Sequence, residues 1–257
     1  MSNQKSQNNE THFGFKQVDA EQKSSLVKQV FSSVASKYDL MNDLMSAGLH
    51  RVWKDKMVGE IKLSANASYK TIDVAGGTGD VAFRILKEAN KQNASIAIDV
   101  VDINPEMLEV GRGRAVDKNS FSQLNFSCAD GENLPHDDNS FDYYTIAFGI
   151  RNFTNIQAGL NEAFRVLKTG GKFICLEFSQ INNLPLAKIY DLYSFKAIPK
   201  IGKLVAGDEA SYQYLVESIR KFPNQENFKK MIEKAGFKNV SYNSLNFGVV
   251  AIHIGCK

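Results

Sequence analysis

From residue 71 onward the hydrophobic pattern switches repeatedly between period two and period 3.6, and this alternation constrains the fold more than any other feature. TIDVA at 71–75 reads as a strand, VAFRILKEA at 81–89 as a helix and SIAIDVVD at 95–102 as a strand. PEMLEVGRGRAVD at 105–117 is a helix that opens on Pro105, where a missing N–H costs nothing. LNFSCA (124–129), FDYYTIAF (141–148) and GKFICLEF (171–178) are further strands, with a helix over Ile156 to Lys168 before the last of them. Strands that alternate with helices are joined by right-handed crossovers and lie parallel. The end of the chain breaks the rule. After the helix NFKKMIEKAG, the strands FKNVSYNSL and GVVAIHIGC are separated only by Asn246–Phe247, and strands joined so tightly must be antiparallel. The pattern predicts an α/β fold: a doubly wound, mostly parallel, seven-stranded sheet closed by an antiparallel hairpin.

Ahead of this lie two amphipathic stripes. Leu26, Val27, Val30, Phe31, Val34, Ala35 and Tyr38 recur at helical spacing, which predicts a helix ending near Tyr38. Met41, Met45, Leu49, Trp53 and Met57 recur every fourth residue, with Gly48 splitting the stretch into two short helices. Such faces pack against the rest of the domain, and methionine-rich ones also adapt to greasy ligands. Residues 1–24 are expected to be a disordered tail and lead-in, and 25–257 a single domain, with 25–62 as a helical lid and 184–220 as a helical insertion. At 257 residues and 43% hydrophobic against 23% charged, one such domain with a full core is the natural reading.

The run Asp73-Val74-Ala75-Gly76-Gly77-Thr78-Gly79-Asp80 falls where the first strand of the sheet meets the first helix, the edge at which doubly wound sheets bind ligands. Glycines let backbone approach a ligand closely, and the helix beyond them presents unpaired N–H groups. Gly77 to Ala82 also reads as Gly-x-Gly-x-x-Ala, which suits a dinucleotide dehydrogenase. Asp102 ends the next strand, where a carboxylate accepts from both hydroxyls of a ribose. Asp73 separates the alternatives. Its carboxylate at the mouth of the loop disfavours a pyrophosphate but suits an ammonium and a sulfonium, both of which S-adenosylmethionine carries. Asp130, in Ala129-Asp130-Gly131-Glu132 after the third strand, is placed to accept from an adenine amino group or simply to close a turn.

Composition removes other classes. Thirty-one basic against 28 acidic residues leave a net charge of +3, too small for a field that would gather nucleic acid. Cys128, Cys175 and Cys256 have neither metal-ligand spacing nor a partner count suited to disulfides, so reduced, buried thiols in a cytosol-like compartment are expected and no metal site is. No run of 18 apolar residues spans a bilayer, and MSNQKSQNNE lacks the features of a signal peptide or transit sequence.

Longer motifs carry a specific resemblance. The element order, glycine turn, ribose acid and terminal hairpin resemble the Rossmann-like class I S-adenosylmethionine-dependent methyltransferase fold. Within that fold, THFGF (11–15), VFSSVASKYDLMNDLMSAGLHRVWKD (30–55), DVAGGTGD (73–80) and FGIRN (148–152) are similar to the ubiquinone/menaquinone biosynthesis C-methyltransferase family across nearly the whole chain. The resemblance implies S-adenosylmethionine bound at positions matching Thr78, Asp102, Asp130 and Gly131, with Asp73, Gly77 and Gly79 shaping the same site. Relatives often carry Asn at Asp130 and serine at Ala147. The implied reaction is methyl transfer to a ring carbon of a polyprenylated quinol, 2-methoxy-6-polyprenyl-1,4-benzoquinol and/or demethylmenaquinol.

Such carbon methylation needs a ring made electron-rich by loss of a hydroxyl proton, so the protein must orient the ring and stabilise phenolate charge. Arg151 and Asn152 follow the fourth strand at the carboxyl edge and are the expected acceptor residues, with Tyr38 at the end of the lid helix and Asp39 and Asn42 beside it. Arg151 is a poor proton acceptor, which assigns it to charge stabilisation. His12 and His50 read as structural. Leu184 to Lys203 mixes aromatic residues with four lysines and a single Asp191, a local charge of +3 that fits an anionic membrane at the inner face, or else an aromatic lid with solvated lysines. Candidate partners are the quinol, that membrane surface, other quinone-biosynthesis enzymes and a second copy of the chain. A nicotinamide-dependent oxidoreductase and a non-catalytic binding protein are the rival readings.

Overall fold

The computed structural model describes residues 10–34, 40, 42–43, 46–181, 199–200, 203 and 209–257. Its strands are β1 (Glu10–Phe13), β2 (Lys16–Asp19), β3 (Ser68–Val74), β4 (Ser95–Asp102), β5 (Leu124–Cys128), β6 (Phe141–Ala147), β7 (Leu167–Phe178), β8 (Lys238–Leu245) and β9 (Val250–Cys256). Its helices are α1 (Ala20–Val34), α2 (Leu49–Val58), α3 (Asp80–Lys91), α4 (Pro105–Asp117), α5 (Ile156–Val166), α6 (Glu209–Lys221) and α7 (Gln225–Lys234). β3 to β9 form one seven-stranded sheet in the order β5-β4-β3-β6-β7-β9-β8. The first five of these strands are parallel, and β9 inserts antiparallel between β7 and β8.

Burial follows from that arrangement. The central strands carry helices on both faces, so Ile72 and Val74 of β3 and Tyr144 and Ile146 of β6 are buried in continuous runs. One apolar cluster gathers Trp53, Met57, Ile85 and Leu108 on one face of the sheet, and a second gathers Leu160, Phe173 and Phe228. Helix starts are set by side chains: Asn104 Oδ1 accepts from the N–H groups of Glu106 and Met107, and Asn155 Oδ1 accepts from Ala158 N–H. α2 begins directly after Gly48, whose φ of 77° ends the preceding stretch.

The structure departs from the sequence reading in three places. Residues 10–19 are an antiparallel hairpin rather than tail, and α1 starts at Ala20 within the segment expected as lead-in. The cause is distant in sequence: Phe13 stacks on Tyr214 at 4.1 Å, and Phe15 N–H donates to Glu217 Oε2 at 3.0 Å. α5 stops at Val166 because Leu167 is already extended, and β7 begins there with a register shift opposite Phe141–Tyr143. Cys175 is buried, as expected of all three thiols, but Cys128 is exposed at the end of β5. Tyr38, Asp39 and most of Leu184 to Lys203 lie outside the described residues.

Candidate active site at the carboxyl edge of the sheet

The loops after β3, β4, β5 and β6 converge on one open cavity. Gly77, Asp102, Asp130, Gly131 and Asn152 are on its wall. α1 roofs it with Ser24, Val27 and Phe31, while Met107, Phe148 and Phe153 make the remainder apolar. Of the residues expected to hold a cofactor, Asp102, Asp130, Gly131 and Gly77 are thus brought together.

Asp102 is placed by its own loops. Gly77 N–H donates to Oδ2 at 2.9 Å and Asn104 N–H to Oδ1 at 2.8 Å. Each oxygen keeps acceptor capacity, which is what a vicinal diol requires. Desolvation raises its carboxyl to about 6 against those backbone bonds. Asp130 is exposed and turns back to accept from Glu132 N–H at 2.8 Å. Gly131 has to be glycine, because a Cβ there would lie 2.6 Å from the Phe153 ring.

Asp73, Thr78 and Gly79 lie behind this wall. Asp73 was expected at the mouth of the loop but is 1% exposed beneath it, because Thr145 on the adjacent strand donates to its Oδ1 at 2.7 Å. Its Oδ2 has no hydrogen-bond partner and faces Gly76, where a Cβ would come within 2.9 Å. Desolvation pushes its pKa up to about 7, with Thr145 opposing. The Thr78 hydroxyl accepts from Arg114 Nη1 at 3.0 Å. Gly79 supplies the φ of 78° that lets the chain enter α3.

The loop after β6 is unusually constrained. Phe148 takes φ 57°, Ile150–Asn152 form a single 3₁₀ turn, and Gly149 packs so tightly on the glycine loop that a Cβ would meet Ala75 Cβ at 2.4 Å. Asn152 faces the cavity, its Oδ1 accepting from the Tyr214 hydroxyl at 3.0 Å. Arg151 points the other way. Its guanidinium is buried against Glu177, with Nη1 donating to Oε1 at 2.9 Å and also to the Phe148 carbonyl. Glu177 Oε1 further accepts from Phe178 N–H, and burial raises its pKa against the attraction of Arg151. Arg151 borders a second cavity with His12, Lys23 and Tyr214, not the one that contains Asp102.

Three residues escaped the sequence reading. Glu177 lies in an apolar strand run and gives no local signal. Lys23, in α1, is buried and donates to the Phe153 carbonyl at 2.6 Å, while Glu132 accepts from Thr154 and Asn155 N–H, so both clamp the acceptor loop. His50, read as structural, is buried and bonded to Asp43 at 2.8 Å.

The chemistry of this wall is acidic and glycine-lined, with Asp102, Asp130 and Glu132 as its charged groups. A family model described as the ubiE/COQ5 methyltransferase family matches residues 16–257. The chain belongs to the ubiE/COQ5 methyltransferase family. It is 55% identical over 248 residues to the ubiquinone/menaquinone biosynthesis C-methyltransferase UbiE of Brucella abortus strain S19, covering 96% of this chain and 91% of that one. The UbiE of Brucella anthropi is 54% identical, covering 96% and 93%. Among solved structures, an S-adenosylmethionine-dependent methyltransferase from Thermotoga maritima superposes with a TM-score of 0.61 at 18% identity, covering 89% of this chain and 98% of that one. The [4+2]-cyclase SpnF superposes at 0.59 with 16% identity, covering 91% and 96%, a likeness of fold alone. This family member is an S-adenosylmethionine-dependent C-methyltransferase. The wall fits that cofactor: a diol acceptor at Asp102, close backbone at Gly77 and Gly131, and net negative charge for a cationic ligand.

Proposed function

We propose that the acceptor is a polyprenylated quinol and that the methyl goes to a ring carbon ortho to a hydroxyl, as in ubiquinone and menaquinone biosynthesis. The supporting observation is the composition of the cavity: a ribose acid on one side, and on the other the apolar side chains of Val27, Phe31, Phe148 and Phe153 around the single amide of Asn152. S-adenosylmethionine supplies an electrophilic methyl when bound. Asp102, Gly77, Asp130 and Gly131 hold it, and Asp73 beneath the loop adds negative potential toward its charged end.

Asn152 is the acceptor residue in this reading. Tyr214 fixes its Oδ1, which turns the amide N–H toward a ring oxygen and orients the neighbouring carbon. Arg151 acts from behind as a positioning residue: its charge is compensated by Glu177, and its bonds to Phe148 and Glu177 fix the turn that carries Asn152. Tyr38 is proposed as a further acceptor residue. The test is a deletion strain. Expressing this chain should restore methylated quinone in the lipid extract, and the Asn152→Ala variant should leave the demethyl quinone in place. Accumulation of any other precursor would overturn the assignment.

A further inference from the structure

THFGF at 11–15 is one of the motifs shared with the family, and the chemistry of the cavity gives it no role. No described residue between 10 and 19 lines the cavity that contains Asp102 and Asn152. The motif instead ends β1 and forms the two-residue turn into β2, with Phe13 paired to Lys16 across it. Gly14 takes φ 59° in that turn, and a Cβ on it would come within 3.0 Å of Glu217 Cβ, so glycine is what lets the turn lie against α6.

The hairpin grips α6 and the acceptor loop from outside. Phe13 stacks on Tyr214, with ring centroids 4.1 Å apart and planes 13° from parallel. Phe15 N–H donates to Glu217 Oε2 at 3.0 Å, on the same face of α6 three residues further along, while Gln213 Nε2 donates to the other oxygen at 2.7 Å. Thr11 Oγ1 donates to the Thr154 carbonyl at 3.3 Å, two residues beyond Asn152, and Lys23 in the first turn of α1 donates to the Phe153 carbonyl. Tyr214 is the link inward. It is 3% exposed, burial keeps its hydroxyl protonated, and that hydroxyl donates to Asn152 Oδ1 at 3.0 Å. With one face on Phe13 and its oxygen on Asn152, the ring carries the placement of the hairpin to the amide.

We infer that Phe13 is a positioning residue for methyl transfer: it fixes the Tyr214 ring, and Tyr214 fixes the Asn152 amide that meets the acceptor. The role rests on the reading of Asn152 as the acceptor residue. A hydrogen bond orients Asn152 only as well as its donor is itself held. Tyr214 carries its hydroxyl at the far end of two rotatable bonds, so a small turn of an unsupported ring moves the oxygen out of hydrogen-bond geometry. The stack with Phe13 and the contacts of Thr11 and Phe15 hold the ring and the loop in one register. A motif that touches no ligand thereby acts on the reaction.

The test compares Phe13→Ala, Tyr214→Phe and the double variant in the full chain. Tyr214→Phe removes the oxygen and keeps a ring for Phe13 to stack on. Turnover of a short-chain quinol should fall about fivefold in either single variant, the scale of one aromatic pair or one neutral hydrogen bond. Affinity for S-adenosylhomocysteine should stay at the wild-type value. In the double variant turnover should fall no further than in Tyr214→Phe, whereas the drop in melting temperature caused by Phe13→Ala should reappear in full. A merely structural hairpin would lower turnover by the same factor in both backgrounds. Phe13→Leu keeps volume without the flat face, so it should reproduce the turnover loss with a smaller drop in melting temperature, and it serves where the alanine variant does not fold. Wild-type turnover in the Phe13 variants, multiplicative losses in the double variant, or weakened S-adenosylhomocysteine binding would each overturn the positioning role. Wild-type enzyme that binds S-adenosylhomocysteine yet methylates no quinol would overturn the acceptor reading, and the role of Phe13 with it.

Discussion

Replacing Glu177 with glutamine keeps shape and removes charge, so it isolates what the buried pair with Arg151 does. Both side chains are almost fully inaccessible, 3% and 1% exposed, and their N–O distance is 2.9 Å. Breaking a buried pair from one side leaves an uncompensated charge and costs about 3–5 kcal/mol, whereas replacing both partners by apolar groups is commonly neutral. Glu177→Gln retains an acceptor for Phe178 N–H, so the lower end, about 3 kcal/mol, is expected. That corresponds to a fall in melting temperature of roughly 6–12 °C. Arg151→Met with Glu177→Leu should recover most of this loss. Activity should separate from stability: both variants displace the Phe148–Asn152 turn, and misplacement by an ångström costs about 10²-fold in turnover. The assay pairs thermal unfolding with methyl transfer measured well below the melting point. A double variant that regains activity along with stability, or a Glu177→Gln enzyme with unchanged melting, would refute the argument that the pair positions Asn152.

Asp102→Ala should weaken S-adenosylmethionine by about 1.5–3 kcal/mol in calorimetry, the range for hydrogen bonds to a charged group; unchanged affinity would remove Asp102 from the ribose site. Asp73 and Asp102 titrate near 7 and near 6, above the ordinary 3.8, so the folded state holds more protons than the unfolded one between about pH 4 and 7. Their contribution to stability is therefore full below about pH 4 and is lost as pH rises through 6 to 7. Urea midpoints across this window should show it, and Asp73→Asn should flatten the slope. A cationic cofactor favours the ionised carboxylates, so its affinity should rise with pH over the same window, with proton release read as the slope of the observed binding heat against buffer ionisation enthalpy. Gly149→Ala brings a methyl to 2.4 Å from Ala75 Cβ and should cost about 1–3 kcal/mol together with most activity; a stable, active variant would show that the two loops are not rigidly apposed.

The sheet was legible because its strands alternate cleanly with helices and its final hairpin has too short a connection to be anything but antiparallel. The insertion of β9 between β7 and β8 is a pairing choice that no local pattern expresses. Gly77, Asp102, Asp130 and Gly131 were expected at strand ends, and the structure brings all four to one cavity, because backbone geometry there decides what faces it. Side-chain direction was not. Asp73 is pulled under its loop by Thr145, 72 residues away, and Arg151 is turned from the cavity by Glu177, a carboxylate concealed inside an apolar run. The hairpin at 10–19 was missed for the same reason, since Phe13 needs Tyr214 to have anything to pack on.

The central claim is carbon methylation of a quinol in the cavity between Asp102 and Asn152. It is tested most directly by incubating the enzyme with S-adenosylmethionine carrying a ¹³C methyl and either 2-methoxy-6-polyprenyl-1,4-benzoquinol or demethylmenaquinol, then locating the label by NMR. The account predicts an aryl methyl ortho to a ring oxygen, lost in Asn152→Ala. Label in a methoxy group, or none on either quinol while the cofactor binds normally, would contradict it.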